Sequence, residues 1–298
     1  MRPRLIDFLQ PYHLGFLVPD YTFMLTFALI VGAFVTLRQA RKAGLPPEIS
    51  SRAILHSLLL LFPLARLVYA IQYWRQFEKD PWSLLDLRDG GIALYGGMAA
   101  LVLGPWISLR RHRTLLLRYL DALIPAMGLG LFLGRIGCFM AGCNWGAISS
   151  VPWAVRFPGP RDAYAQHLRA GLIQYGDPLS LPVHPTQLYE SAFGLAMLLI
   201  TWRWISKRYR RHTRVQAGCV FLVGVNAYAL FRFFMEFVRA DAFGWKPGPL
   251  SVAQLCSLSI LAVSGLLVLG RNGPESWGRA TRKLSDWIQV CKRRDQGA

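Results

Sequence analysis

Apolar runs of about 20 residues recur along this chain, and each can carry a helix across ~30 Å of hydrocarbon at 1.5 Å per residue. That repetition excludes most folds at once. In lipid every backbone N–H and C=O needs a partner within the chain, which leaves helices and closed barrels, and continuous runs of this length read as helices. Seven spans are predicted, near 21–38, 53–73, 92–109, 116–138, 187–205, 216–237 and 250–270. Composition agrees, with 53% hydrophobic and only 17% charged residues among 298. The expected fold class is all-α: a polytopic membrane protein with seven transmembrane helices, built as one membrane domain over 1–298.

A net charge of +18 would suit a nucleic-acid partner, but the basic residues cluster in alternate loops, as orientation in a membrane demands. One set of loops holds 21 Lys and Arg: those around Arg38 to Arg52, Arg110 to Arg118, Arg203 to Arg214, and the tail from Arg271. The other set, with the N-terminus, holds ten. Placing the richer set inside gives an outside N-terminus and a cytoplasmic C-terminus; Arg2 and Arg4 then fall on the outer side, against the trend. Attraction to anionic lipid accounts for the inner clusters, and no nucleic-acid partner is expected.

Three basic residues remain, and they fall inside spans: Arg66, Arg135 and Arg232. A guanidinium cannot shed its proton, and at bilayer depth it costs at least ~2.5 kcal/mol unless an anion, water or backbone carbonyls receive it. Arg135 sits in Gly134-Arg135-Ile136-Gly137-Cys138, where glycines let another group approach the backbone. Arg232 lies four residues before Glu236 on one helix face, so the two can pair with each other.

Two outward segments exceed simple turns: roughly 74–91, and 147–186, expected to form a small external cap with a short strand over Val151 to Phe157 and an amphipathic helix from Asp162 to Leu172. The basic tail, 271–298, places Trp277, Leu284, Trp287 and Ile288 at roughly helical spacing and suits either an interfacial helix or a disordered tail. Asp7, Gln10 and Pro11 interrupt any apolar region before the first span, so no cleavable signal is expected. Cys138 and Cys143 have neither metal-pair spacing nor a second ligand pair nearby; they read as small packing residues, with redox or metal roles as alternatives. No disulfide framework, metal or cofactor is expected.

Polar residues gather at the outer span ends. His184-Pro185-Thr186-Gln187-Leu188-Tyr189-Glu190 opens the fifth, and Gly90-Gly91 and Gly96-Gly97 flank Tyr95 at the third. The glycine pairs suit either close helix packing or a tyrosine presented to a cavity.

With these motifs in place, the sequence resembles the prolipoprotein diacylglyceryl transferases of bacterial inner membranes. The resemblance runs over nearly the whole chain. It comprises Tyr21, Ala65-Arg66-Leu67-Val68-Tyr69, the two glycine pairs, Gly134-Arg135-Ile136-Gly137 with Trp145-Gly146, the run from His184 to Glu190, and Phe231-Arg232 with Glu236 and Arg239. It implies seven spans, a plasma-membrane location, and transfer of a diacylglyceryl group from phosphatidylglycerol to the lipobox cysteine of a preprolipoprotein. It also implies a lipid-filled cavity open to the bilayer, with membrane lipid as surroundings and substrate; a monomer is expected. Arginine suits the leaving group, because forked, charge-assisted hydrogen bonds strengthen as a phosphate gains charge.

Carried over by resemblance, Arg135 and Arg232 bind and polarise the phosphate, Glu236 orients Arg232, and Tyr95 joins them as a catalytic candidate. Tyr21, Arg66, Gly96, Gly97, Gly137, Cys138, Gly146, His184, Gln187, Tyr189, Glu190, Tyr228 and Arg239 fall on substrate-binding positions. Tyr95, Tyr21 and His184 are candidates for proton handling. The departures lie in the same places: Tyr95 stands where the family has a histidine, Cys138 and Ala141 where it has asparagines, and Cys143 where it has a glutamate. Asn144 is offset by one from that glutamate, and Asp241 arrives one residue early. A family paralogue with another acceptor or phospholipid, or a lipid-binding or lipid-translocating protein without transfer chemistry, are the alternatives.

Overall fold

A helix lies at each of the seven apolar runs in the computed structural model, which describes residues 21–78, 82, 84, 93–159, 161–211, 217–240 and 249–271. With two short helices between them, the described helices in chain order are α1 (Tyr21–Lys42), α2 (Pro47–Gln72), the single turn α3 (Trp74–Phe77), α4 (Leu94–Leu109), α5 (Arg113–Ala141), α6 (Asp162–Arg169), α7 (Thr186–Arg211), α8 (Cys219–Met235) and α9 (Val252–Arg271). The expectations for the N-terminal residues, Gly90-Gly91, Asp241 and the tail beyond 271 fall outside the described residues. Among the described residues three helices are long and apolar enough to cross a membrane by themselves, in α1, α2 and α5, while α4, α8 and α9 carry shorter apolar stretches. Helix α7 is diluted at both ends, by Gln187 and Glu190 in its first turns and by Arg203 to Arg211 in its last.

The surface is that of a membrane protein. Along α1, Phe23, Phe27, Ile30 and Phe34 recur every three or four residues and all are exposed, a stripe on one helix face. Leu59, Phe62 and Ile71 on α2, Leu199 and Ile200 on α7 and Leu266 on α9 continue this apolar exterior. A water-soluble chain would have to bury patches of this extent.

Helix α5 is the axis of the packing. It lies along α7 and α1 and touches α8 and α4, while α2 pairs with α4 and α9 leans on α8. Small residues set the crossings. A Cβ added at Gly128 would fall 2.7 Å from the Leu198 nitrogen, and one at Gly194 would fall 2.6 Å from the Phe132 nitrogen, so α5 and α7 meet backbone to backbone. Gly96 does the same for α4 on α2, where a side chain would overlap the Leu64 carbonyl. Close packing thus explains Gly96, whereas Gly97 has room, with Leu61 Cδ1 at 3.4 Å.

Helix α8 begins at Gly218 with no cap of its own. The buried Asp121 carboxylate of α5 takes that place, accepting from the Gly218 N–H at 2.9 Å and the Phe221 N–H at 2.9 Å. A carboxylate at a helix N-terminus is doubly favoured, by the free donors and by the helix dipole.

Between α5 and α7 the chain folds over the helix ends. The amphipathic helix expected from Asp162 is present as α6, shorter than predicted and ending at Arg169. The strand expected over Val151 to Phe157 is not formed: Val155 makes one antiparallel bridge with Val183, and Pro158 another with Leu179. Of the alternating positions Phe157 is buried, but Val151 and Val155 are half-buried and Trp153 is exposed, so the segment has neither a continuous buried face nor a paired edge. Trp145, Phe157, Ala163 and Val183 form the core of this layer, with Phe139 and Ala240 against it.

Candidate active site

Three helix ends converge under that layer, and backbone hydrogen bonds tie them together. Gly146 N donates to the His184 carbonyl at 2.9 Å, His184 N to Ala147 at 3.0 Å, and Ala147 N to Val238 at 2.7 Å. The segment after α5 is thereby laced to the start of α7 on one side and to the residues after α8 on the other. Gly146 has no space for a side chain, since a Cβ would lie 2.6 Å from His184 Cβ and 2.8 Å from its carbonyl.

This lacing brings together charges far apart in sequence. Glu190, fully buried near the start of α7, takes Arg135 Nη2 on one carboxylate oxygen at 2.6 Å and Arg239 Nη1 on the other at 3.0 Å. Arg239 also donates from Nη2 to Asn144 Oδ1 at 2.7 Å. Asn144 holds a left-handed backbone, φ 58°, which asparagine tolerates better than most residues. Its carbonyl accepts from Thr186 Oγ1 at 2.8 Å. Gln187 is fully buried beside it; Nε2 donates to the Cys143 carbonyl at 2.7 Å, and Oε1 has no partner among the described residues.

The second pair is the one expected from spacing: Arg232 Nη1 meets Glu236 Oε2 at 2.6 Å. Buried Tyr228 joins the two groups, lying within electrostatic reach of Glu190 and of Arg135, Arg232 and Arg239. Among these five ionised groups, three cations face two carboxylates, leaving one positive charge. Among the described residues Arg135 Nη1 meets a weak sulfur acceptor, Cys138 Sγ, at 3.9 Å.

His184 and Tyr189 form a separate chain at the rim. Exposed Trp153 donates from Nε1 to the Tyr189 hydroxyl oxygen at 2.6 Å, and that hydroxyl lies 3.2 Å from His184 Nδ1. Arg66 is held elsewhere, its Nε donating to the Leu84 carbonyl at 2.9 Å and its guanidinium lying 5.3 Å from the Phe77 ring. Gly137 is buried in α5. Of Tyr21 and Tyr95 only the helical backbone is described.

Sequence reasoning missed Asn144 as a site residue and missed that Glu190 is the common partner of two arginines. The signal for the latter was available: a lone glutamate near an apolar helix start requires a cation, and Arg135 lacked an assigned one.

A family model described as prolipoprotein diacylglyceryl transferase matches residues 11–269. Among similar proteins, one from Gloeobacter violaceus named phosphatidylglycerol–prolipoprotein diacylglyceryl transferase is 30% identical over 260 residues, covering 86% of this chain and 90% of its own length. A protein of the same name from Xanthomonas oryzae pv. oryzae is 30% identical over 256 residues, with 79% and 80% covered. A third, from Solidesulfovibrio magneticus, is 35% identical over 207 residues, with 67% and 68% covered.

Proposed function

The chain belongs to the prolipoprotein diacylglyceryl transferase family, and from that premise we propose that it transfers a diacylglyceryl group from phosphatidylglycerol to the lipobox cysteine thiol of preprolipoproteins. The observation that carries this reading onto these residues is the buried cluster with one surplus positive charge, made by Arg135, Arg232 and Arg239 with Glu190 and Glu236. It suits a phosphodiester, which brings one negative charge. The seven apolar helices cross the bacterial membrane with the N-terminus outside, 147–186 forms the external cap, and the basic loops and tail face the cytoplasm.

In this reaction the acceptor sulfur attacks the glycerol carbon of the lipid. The carbon–sulfur bond forms as the bond from that carbon to the phosphate oxygen breaks, and glycerol phosphate leaves with the electron pair. Arg135 and Arg232 hold the phosphate and gain strength as its charge grows. Glu236 holds Arg232 in orientation, while Glu190 positions Arg135 and Arg239 together. Glu190 is a poor base for the thiol, since both of its oxygens already hold cations. Proton handling falls to Tyr95, Tyr21 or His184, and the buried Gln187 Oε1 suits a glycerol hydroxyl. The remaining positions, Arg66, Gly96, Gly97, Gly137, Cys138, Gly146, Tyr189 and Tyr228, shape or line the lipid site.

The test supplies purified protein in detergent with phosphatidylglycerol and a lipobox peptide and reads the peptide by mass spectrometry. A diacylglyceryl thioether is expected. A second reading, lipid binding without transfer, is favoured by cysteine at 143 and tyrosine at 95; it predicts retained lipid and an unmodified peptide. Tyr95→Phe should slow transfer if the phenol carries a proton, and an unchanged rate assigns that step elsewhere.

A further inference from the structure

Helix α5 ends in a turn that sets two cysteines against each other. Gly142, at φ 78°, takes the left-handed position, Gly142 N bonds back to Cys138 and Phe139, and Cys143 N bonds to the Cys138 carbonyl at 3.1 Å. This is the six-to-one helix stop whose outer residue lies on the third residue from the helix end, and here those two residues are Cys143 and Cys138. Asn144 Nδ2 lies between the sulfurs, 3.3 Å from Cys143 Sγ and 3.7 Å from Cys138 Sγ. Cys143 Sγ itself reaches the Cys138 carbonyl at 3.7 Å. Both thiols are free; Cys138 is buried and Cys143 is partly open.

The sulfurs also touch the guanidinium cluster. Cys138 Sγ accepts from Arg135 Nη1 at 3.9 Å, and the asparagine that spans the two thiols holds Arg239 by its other end at 2.7 Å. The pair therefore sits where a change in sulfur bonding reaches both arginines that Glu190 holds.

We propose that Cys138 and Cys143 are a redox-active thiol pair, closed to a disulfide by a hydroperoxide-class oxidant, and that closure slows the reaction at the adjoining arginine cluster. The partly open Cys143 meets the oxidant first: its sulfur attacks the peroxide O–O bond, giving a sulfenic acid and one molecule of water or alcohol. Cys138 then attacks that sulfur; the S–S bond forms, the S–O bond breaks and water leaves. Two thiol hydrogens and two electrons pass to the peroxide. In the topology proposed above this turn faces the outer compartment, where disulfides persist. Closure draws the sulfurs off Arg135 and Asn144, and through Asn144 it shifts Arg239.

The chemistry and its consequence are read separately, because only the second rests on the proposed transferase reaction. Full-length protein in detergent is treated with hydrogen peroxide, alkylated, and digested with trypsin, which releases Ile136 to Arg156 with both cysteines in one peptide. The expected peptide is lighter by two hydrogens, unalkylated, and returned to two alkylated thiols by dithiothreitol. The same oxidant acting on the SDS-unfolded chain shows whether the reagent is competent. Two alkylated thiols in the folded protein, or sulfinic acid at Cys143 without closure, would falsify the pair.

The rate of peptide modification is then compared before and after oxidation. A reversible fall on the order of ten- to a hundredfold is expected, the scale set by a misplacement of about 1 Å in a positioning group. In Cys143→Ser the ratio of oxidised to reduced rates should stay at unity, whatever its basal rate. A closed disulfide with an unchanged rate overturns the coupling to the arginines. No transfer by the reduced parent, with the disulfide still forming, fails the transferase reading and leaves the thiol chemistry standing.

Discussion

Replacing Glu190 by glutamine removes the charge that holds two arginines together while keeping the size of the side chain. Glu190 is fully buried, with Arg135 Nη2 at 2.6 Å and Arg239 Nη1 at 3.0 Å. In Glu190→Gln one guanidinium keeps a carbonyl acceptor and the other faces an NH₂ group, so the five-group cluster rises from one surplus positive charge to two. Removing one partner of a buried ion pair costs about 3–5 kcal/mol, and the retained acceptor places this change near the lower end, about 3 kcal/mol. At about 2–4 °C per kcal/mol for a chain of this size, the thermal midpoint in detergent should fall by roughly 6–12 °C. Arg239→Ala made in the same background should then add little, with a coupling of about 1–3 kcal/mol in the double-mutant cycle. Transfer to a lipobox peptide should drop in parallel, because Arg135 loses its orientation. A midpoint shift under about 2 °C, with strictly additive variants, would refute the idea that this carboxylate organises the site.

Three further outcomes follow from individual contacts. Gly146→Ala puts a methyl group 2.6 Å from His184 Cβ, and circular dichroism melts together with the transfer assay should show loss of both stability and turnover; a silent variant contradicts the lacing of the helix ends. Asp121→Ala strips the buried acceptor from the N-terminus of α8 and should cost about 1–3 kcal/mol, read as a lowered midpoint, whereas unchanged melting means another group caps that helix. Burial holds His167 below the ordinary histidine range, and its Nδ1 accepts from the Leu181 N–H at 3.2 Å. The folded form is thus the weaker proton binder, so cap stability is complete above the unfolded value of ~6.5 and declines as pH falls through it. The protection factor of the Leu181 amide, its exchange rate taken relative to the intrinsic rate at each pH, should fall between neutral and mildly acidic pH in the parent and stay level in His167→Gln; a level protection factor in the parent contradicts the burial of a neutral imidazole.

Much of the architecture was legible because lipid imposes length. The α5 run from Arg113 to Ala141 announces a crossing helix by apolar continuity, and Arg135 announces a site by interrupting it. The Arg232–Glu236 pair was equally visible, because i to i+4 spacing fixes a shared face before any tertiary contact forms. The partnership of Glu190 with Arg239 was not, since it depends on the Gly146–Arg239 bridge and the Gly146–His184 backbone hydrogen bond that bring three helix ends together. Asn144 escaped for a related reason: its role depends on a left-handed backbone after Gly142, which residue type alone does not announce. The cap strand failed as an expectation because the alternation buries no continuous face, and a strand also needs a continuous edge beside it. That Cys138 and Cys143 lie against each other was not legible either, because it depends on the helix stop at Gly142 rather than on their spacing alone.

Single-turnover transfer from phosphatidylglycerol labelled in its phosphate tests the central claim most directly, because it follows the leaving group and the acceptor together. With a lipobox peptide the parent protein should release glycerol phosphate and form thioether-linked peptide in equal amounts, and Arg135→Ala should do neither at a comparable rate. Phosphate release without peptide modification, or undiminished transfer by Arg135→Ala, would contradict the assignment of this arginine cluster as the phosphate-holding site of a diacylglyceryl transferase.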